Sequence, residues 1–523
     1  MRSCASTVGS RSDPPEPAER ARGRAVLGPS AFGCEPGQPF PSGLWVDIDP
    51  EVRRPTPTAL FGGTPSRLLV LSRRAAELVS AYGTGPVVAG ESARLARRLT
   101  DVGMATPRAG RAATAVDVTV VVPVRDRPVG LSACLGALGD RHRVIVVDDG
   151  SIDPEAVVAV CRAHGAEVVR RKVPGGPAAA RNTGLRLVTS ELVAFVDSDC
   201  LPGADWIEAL AGHLADPLVV AVAPRIVAAP PRRGVSLLDL GSRPALVRPH
   251  SRVSYVPAAA VVFRRAALGE GFDESLRFGE DVDLVWRLVE AGWRIRYAPE
   301  VQVGHQDPVG TLSRLRRQYA YGTSVGALER RHPGAVVHLT IGVGPACAIG
   351  GVLLGRPGLG VLAWSTSAVW LYRRLRPLGV GVPFALQLSV LQLLHAVIGL
   401  GRWCTTFGGP LVIGSMVASR APAGRRVLRA LALLSAPALL SDLLGPNGRN
   451  RRTVAESWLR AMAYGVGATT GCIRAGLIAP VLPRIRSRSS AARFGRAHRR
   501  REPSGGTWDG AAKPIVKQDR TAC

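Results

Sequence analysis

The stretch Leu192-Val-Ala-Phe-Val-Asp-Ser-Asp-Cys-Leu201 runs from a wholly apolar segment straight into two carboxylates. Val193 to Val196 have the pattern of a strand covered on both faces, and the run stops at Asp197-Ser198-Asp199. Carboxylates at the carboxyl end of a buried parallel strand face the crevice in which open α/β sheets bind ligands. Charges held there need a cationic partner. Mg2+ or Mn2+, gripping a diphosphate at the same time, suits such hard oxygen donors. Asp-x-Asp by itself also describes a solvated acidic turn, so the flanking segments have to decide between the two.

Upstream, Val118 to Val122 reads as a buried strand ended by Pro123, and the loop to Pro128 leads into a helix through Cys134 and Leu138. A second strand, Val144 to Val147, ends in Asp148-Asp149-Gly150-Ser151. The helix Pro154 to His164 has Pro in its first turn and Gly165 just past its end. Strand Val168-Val169 follows, and Gly175-Gly176-Pro177 opens a helix from Ala178 to Thr189 that carries Arg181 and Asn182. This alternation predicts parallel strands with right-handed crossovers and acidic residues along one rim. The Gly-Gly helix start is either an anion site or a plain turn.

Downstream, Asp205 to Leu214 reads as a helix, Val219 to Ala223 as a strand and Val256 to Phe263 as a further apolar run. Phe278-Gly-Glu280-Asp281-Val-Asp283 starts a helix with Leu284, Val285, Leu288 and Val289 inward and Gly292 at its end. Capping of the helix dipole accounts for these acidic residues as readily as chemistry does. A strand Ile295 to Tyr297 and an isolated His305 complete the region.

Five motifs, Val120-Val-Val-Pro-Val-Arg125, Val147-Asp-Asp-Gly-Ser151, Gly176-Pro-Ala-Ala-Ala-Arg-Asn182, Phe195-Val-Asp-Ser-Asp199 and Gly279-Glu-Asp281, resemble in order and spacing a family-2 glycosyltransferase. The resemblance implies a Rossmann-like GT-A nucleotide-sugar domain over residues 117 to 330. It implies that Asp148 and Asp149 contact the uridine, with Pro123, Arg125, Arg181 and Asn182 in the same donor site. Asp197 would lie near the ribose or the metal, and Asp199 would bind the Mg2+ or Mn2+ that bridges the phosphates. Asp281, paired with Glu280, would be the general base, and His305 a further metal or phosphate contact. In an inverting transfer the metal offsets charge on the leaving diphosphate and a carboxylate takes the acceptor's proton. The Gln-x-x-Arg-Trp motif of processive synthases is not matched by Arg316-Arg-Gln-Tyr-Ala-Tyr-Gly322, so long-chain synthesis is not expected.

Residues 1 to 42, rich in Pro, Gly, Ser and Arg, read as disordered. Residues 44 to 108 form a small α+β, winged-helix-like unit: strands at Trp45 and Ala59, a Gly62-Gly-Thr-Pro turn, and helices Ser72 to Tyr82 and Ser92 to Val102. Holding no cluster of His, Cys or carboxylates, it is either a binding module or a structural cap, and it resembles a PqqD-like peptide-recognition domain. The combination with a family-2 domain and an apolar tail is similar to the mycofactocin-system glycosyltransferases. That similarity implies glucosylation of a peptide-derived acceptor from UDP-glucose; an alternative acceptor is a lipid or cell-envelope polysaccharide.

Between residues 335 and 483 apolar runs recur: Ala335 to Gly355, Leu359 to Leu371, Val382 to Leu400, Leu411 to Ala418, Leu428 to Leu444 and Ala461 to Pro483. Two to four are expected to span or lie on a membrane, with Arg373, Arg374, Arg376, Arg420, Arg425 and Arg426 against cytoplasmic headgroups. Residues 484 to 523 read as a disordered basic tail. The net charge of +27 suits an anionic partner, and its concentration at both ends and between apolar runs favours a membrane over a nucleic acid. Acidic rims repel phosphate backbones, and aromatics at 5% offer few stacking surfaces, so no nucleic-acid partner is expected. Nine cysteines without Cys-x-x-Cys spacing, and no apolar leader, place the catalytic domain in the cytoplasm as an expectation. A nucleotidyltransferase would need a Gly-rich, Lys-bearing first loop that is missing here; an inactive scaffold stays open.

Overall fold

The computed structural model describes residues 25–35, 37–110, 116–229, 235–408, 434–444 and 451–486. The amino-terminal unit holds two small sheets. β1 (Trp45–Ile48) pairs with β5 (Ala105–Arg108), and β2 (Arg53–Thr56), β3 (Ala59–Gly62) and β4 (Arg67–Val70) form an antiparallel meander. Helix α1 (Arg73–Ala81) starts where the Ser72 hydroxyl accepts the Ala75 N–H at 3.1 Å, and α2 (Glu91–Asp101) buries Leu95 and Leu99. Part of the stretch expected to be disordered is anchored: Pro29 and Phe40 are buried, and Trp293 donates its indole N–H to Leu27 O at 2.6 Å. Their partners are distant in sequence, so local composition carries no sign of them. Pro107 and Arg108 close the unit as part of β5.

The central sheet is built from β6 (Val118–Val124), β7 (Arg143–Asp148), β8 (Glu167–Arg170), β9 (Leu192–Val196), β10 (Cys200–Pro202), β11 (Val219–Ala228), β12 (Ala245–Val247), β13 (Ala260–Arg264) and β14 (Arg294–His305). Its order is β10-β14-β11-β13-β9-β6-β7-β8, with β12 beside β14. Helices α3 (Pro128–Leu138), α4 (Pro154–Ala163), α5 (Gly176–Leu185) and α6 (Trp206–Ala211) connect the early strands. Every residue of β6 and β9 is buried, as their unbroken apolar runs require. Pro123 is inside β6 and not after it; it lies beyond Val121, where the β9 ladder ends, so a missing N–H is tolerated there.

The expected parallel sheet holds for β6 to β9, but the second half is mixed. β13 is antiparallel to both β9 and β11, and β14 is parallel to β11. The two reversals restore the direction, so β6, β7, β9 and β14 all end at one rim. That rim therefore receives the loop after Val124, Asp149, Asp197 to Asp199 and, at the end of a 12-residue strand, His305. Helix α7 (Glu280–Glu290) begins beside it.

Next come α8 (Thr311–Gly322), α9 (Val325–Arg331), β15 (Thr340–Gly342), α10 (Val343–Leu353), α11 (Pro357–Leu375), α12 (Val382–Phe407), α13 (Leu434–Leu444), α14 (Arg451–Arg474) and β16 (Arg484–Arg486). The apolar run from Ala335 to Gly355 is not one span: Thr340–Gly342 pairs with β16, and an 11-residue helix follows. Arg484 to Arg486 are therefore strand and not tail. Among the described residues one helix, α12, is long and apolar enough to cross a membrane. The run Leu411 to Ala418 and Arg420, Arg425 and Arg426 lie outside the described residues.

Two contacts fix the outer units to the sheet. Arg97 donates both Nη groups to Asp216 at 2.7 and 2.8 Å, and Arg294 grips Asp101 in the same forked way at 2.5 and 2.7 Å. On the other side α14 lies against α8 with backbones nearly touching. A Cβ on Gly467 would stand 2.0 Å from Tyr319 O, and one on Gly471 2.3 Å from Thr323 O. This approach carries Tyr464 to the rim of the central sheet. Gly467→Val should cost about 1–3 kcal/mol by overpacking, read as a lower urea unfolding midpoint; an unchanged midpoint would contradict the contact.

Candidate active site

Above the rim lies a cavity of about 1010 Å³, at the upper end of the usual range for small-molecule pockets. Its wall brings together Pro123, Arg125, Asp149, Arg181, Asp197, Asp199, Glu280 and Asp281, all named from the sequence as site residues. They arrive from three strand ends and two helices far apart in the chain.

Arg181 is buried and binds two of these carboxylates at once. Its Nη2 donates to Asp197 Oδ1 at 2.7 Å and its Nη1 to Glu280 Oε1 at 2.9 Å. Burial opposes its charge, but Asp197 and Glu280 outweigh that cost and hold the guanidinium firmly protonated. Asp199 is gripped differently: Arg127 Nη1 donates to its Oδ2 at 2.5 Å, and His305 Nε2 stands 3.5 Å from its Oδ1. Burial, and then the neighbouring Asp197, push the Asp199 carboxyl up against the pull of His305 and Arg127.

His305 does not line the cavity itself; it reaches the site through Asp199. Its Nδ1 meets Asp307 Oδ1 at 3.0 Å, and Asp307 is fixed in turn by the Ser236 hydroxyl at 3.2 Å. An imidazole oriented through its second nitrogen by a carboxylate is the usual support of a metal-binding His. The carboxylate oxygen fits Mn2+ or Mg2+, and the imidazole nitrogen beside it suits the softer Mn2+ better than Mg2+. Among the described residues no group of three side chains forms a ready cage, so phosphate oxygens and water would complete the shell.

Asp281 accepts the Val282 N–H at 2.8 Å and the Ala258 N–H at 3.3 Å. Burial, and then the charge of Glu280, push its carboxyl up to about 7, against the lowering effect of Arg181. Tyr255 and Tyr321, both on the cavity wall, are near enough for Asp281 to raise their hydroxyl pKa further, after burial has done most of it.

Two expected donor contacts do not reach the cavity. Asp148 accepts the Ser151 N–H at 2.9 Å and pairs with Arg170 at 3.3 Å, because adjacent residues at a strand end point to opposite sides. Asn182 bonds Phe272 on both its N–H and its C=O, about 100° around the helix from Arg181. The Gly-Gly helix start is occupied from within: Asp149 accepts the Gly175 and Gly176 N–H groups at 2.9 and 2.7 Å and pairs with Arg171 at 2.9 Å. Asp283, the third acidic residue of its motif, is a core group held by Arg287 and His332 at 2.8 and 3.1 Å. Sequence reasoning missed Arg127, Asp307 and the tyrosines. The first two stood next to motifs already noted, whereas Tyr255 and Tyr321 carried no local signal.

The family model described as glycosyl transferase family 2 matches residues 119–269. The chain is 44% identical over 348 residues to the pre-mycofactocin glycosyltransferase of Mycobacterium tuberculosis, covering 64% of this chain and 73% of that protein. It is 27% identical over 219 residues to the glycosyltransferase AglE of Haloferax volcanii, covering 39% and 71%. Among solved structures, the mannosyltransferase PcManGT of Pyrobaculum calidifontis, in complex with GDP-Man and Mn2+, aligns over 64% of this chain and 88% of its own. Its identity is 20% and its TM-score 0.35, so the assignment rests on strand order and the sequence matches.

Arg181→Met tests the charge arrangement. Losing a cation that favours the Asp281 carboxylate should raise its pKa above about 7, seen by carbon-13 titration of the carboxyl; a fall would contradict it. With the strand order, the acidic rim and a 44% identical relative in agreement, the chain belongs to the family-2 glycosyltransferases of the mycofactocin system and carries the GT-A fold.

Proposed function

We propose that the chain moves a hexose, glucose first among them, from a UDP-sugar to a hydroxyl of a peptide-derived small molecule in one inverting, metal-dependent displacement. The observation that carries this reading is the pairing of the cavity's carboxylates. Asp149 is held by Arg171, Asp197 and Glu280 by Arg181, Asp199 by Arg127 and Glu274 by Asn182. Among the described residues Asp281 meets backbone N–H groups and no hydrogen-bonded guanidinium. A carboxylate pushed up to about 7 is matched to taking a proton from a hydroxyl at neutral pH.

In the proposed step the acceptor oxygen bonds to the anomeric carbon as the bond to the diphosphate breaks, and the acceptor's proton passes to Asp281. Among the described residues the other cavity carboxylates are committed to ion pairs or hydrogen bonds, which favours a single displacement with inversion. Mg2+ or Mn2+ on Asp199 and His305, with Asp197 close by, would supply positive charge to the departing diphosphate. Arg125 and Arg127 add to it from the same wall.

The relative's name supports a pre-mycofactocin acceptor, and the PqqD-like unit is the candidate holder of a peptide portion of it. Membrane attachment with the catalytic domain on the cytoplasmic side is supported by α12 and by exposed Leu353, Leu362 and Trp370 on α10 and α11, next to Arg373, Arg374 and Arg376.

Asp281 has to be deprotonated to act, so kcat/KM should rise with pH through about 7 and then level off. Asp281→Asn should lower turnover about 10²–10⁴-fold while Mn2+-dependent UDP-glucose binding, followed by calorimetry, stays within about threefold. Unchanged turnover removes Asp281 as base, and UDP-glucose affinity indifferent to Mn2+ removes the metal.

A further inference from the structure

We infer that Arg127 holds the place of the cation on Asp199 while the donor is absent, and moves onto the donor's diphosphate when the metal takes that carboxylate. The inference rests on the metal-dependent reading above. Arg127 Nη1 donates to Asp199 Oδ2 at 2.5 Å, and both residues line the cavity. The Arg127 side chain is 47% exposed whereas that of Asp199 is 17% exposed, so the carboxylate is fixed and the guanidinium has room to leave.

The backbone beneath Arg127 is pinned, which confines any movement to its side chain. Asp126 sits in the left-handed region at φ 54°. Its N–H donates to the Ser151 hydroxyl at 2.9 Å, and its Oδ1 accepts the Ile152 N–H at 2.7 Å. Pro128 follows at once as the first residue of α3. Other arginines facing cavity carboxylates are committed more deeply: Arg181 is buried with two acidic partners, and Arg171 also donates to Thr183 at 2.6 Å.

Charge balance requires the exchange. Asp197 already has Arg181, so Arg127 is the guanidinium that shares Asp199 with whatever cation arrives. A divalent ion and a guanidinium on one carboxylate repel each other at short range in a partly desolvated wall. The donor brings a diphosphate into the same cavity, and the planar guanidinium fork pairs well with phosphate oxygens. Arg127 is thus a positioning residue that keeps Asp199 paired in the empty site and contributes to donor affinity in the filled one.

The test uses the full chain, with Mn2+ binding followed by electron paramagnetic resonance and UDP binding by calorimetry at saturating Mn2+. Arg127→Met should bind Mn2+ alone about tenfold more tightly, and bind UDP with Mn2+ about tenfold more weakly, the scale of one charge-assisted hydrogen bond. Arg127→Lys, which keeps the charge and loses the fork, should return Mn2+ affinity toward wild type and recover UDP affinity in part. Opposite shifts in the two constants distinguish exchange from a structural role, which would weaken both. Equal Mn2+ affinity in wild type and Arg127→Met overturns this inference and leaves the metal reading standing; no Mn2+ binding by either protein overturns both.

Discussion

The Arg181 guanidinium, held between Asp197 and Glu280, is the interaction on which the site depends. It joins the end of β9 to the start of α7, two places 83 residues apart in the chain, being the separation of 197 and 280. Without it the buried Glu280 carboxylate and the partly exposed Asp197 would face each other across the cavity floor, and breaking the buried Arg181–Glu280 pair costs about 3–5 kcal/mol. Burial and the neighbouring Glu280 push the Asp281 carboxyl up, and the Arg181 charge pulls it part of the way back. One cation therefore assembles the site and helps to set the proton affinity of its unpaired acid. Buried ion pairs contribute little net stability compared with apolar packing, so the gain here is in geometry and electrostatics.

The sheet makes this convergence possible by reversing twice. An all-parallel order would also bring β6, β7 and β9 to one rim. The antiparallel β13 lets the chain return with β14 in the same sense, so that His305 ends opposite Cys200 and close to Asp199. The same β13 begins at the rim, with Ala258 just before it donating to Asp281. The carboxyl-terminal helices then close the remaining side, since the close approach of α14 to α8 adds Tyr464 to the wall. The apolar tail is thus part of the cavity as well as a candidate membrane surface.

Strands covered on both faces were legible because they read as unbroken apolar runs, and the acidic residues ending them were legible as a site once the five motifs were taken together in order. In the second half the strands at Val219 and Ile295 were legible too, but their directions and the full length of β14 were not. Beyond Tyr297, β14 has alternating polar residues whose strand state depends on pairing with β10 and β11, and no local pattern announces it. Which single residues face the cavity is decided by geometry finer than motif spacing. Asp148 and Asp149 are neighbours on opposite sides of a strand end, and Arg181 and Asn182 are neighbours on different faces of a helix. In each pair one side chain meets the cavity and the other holds a loop. Asp307, two residues after His305, was within reach of a reading that asked what orients a candidate metal-binding His.

A structure of the full chain crystallised with UDP and Mn2+ tests the central claim, that carboxylates from separate elements converge on one donor pocket. The account predicts the nucleotide within the cavity bounded by Asp149, Asp199 and Asp281, with the manganese on Asp199. Nucleotide bound elsewhere, or manganese on residues outside this rim, would contradict it.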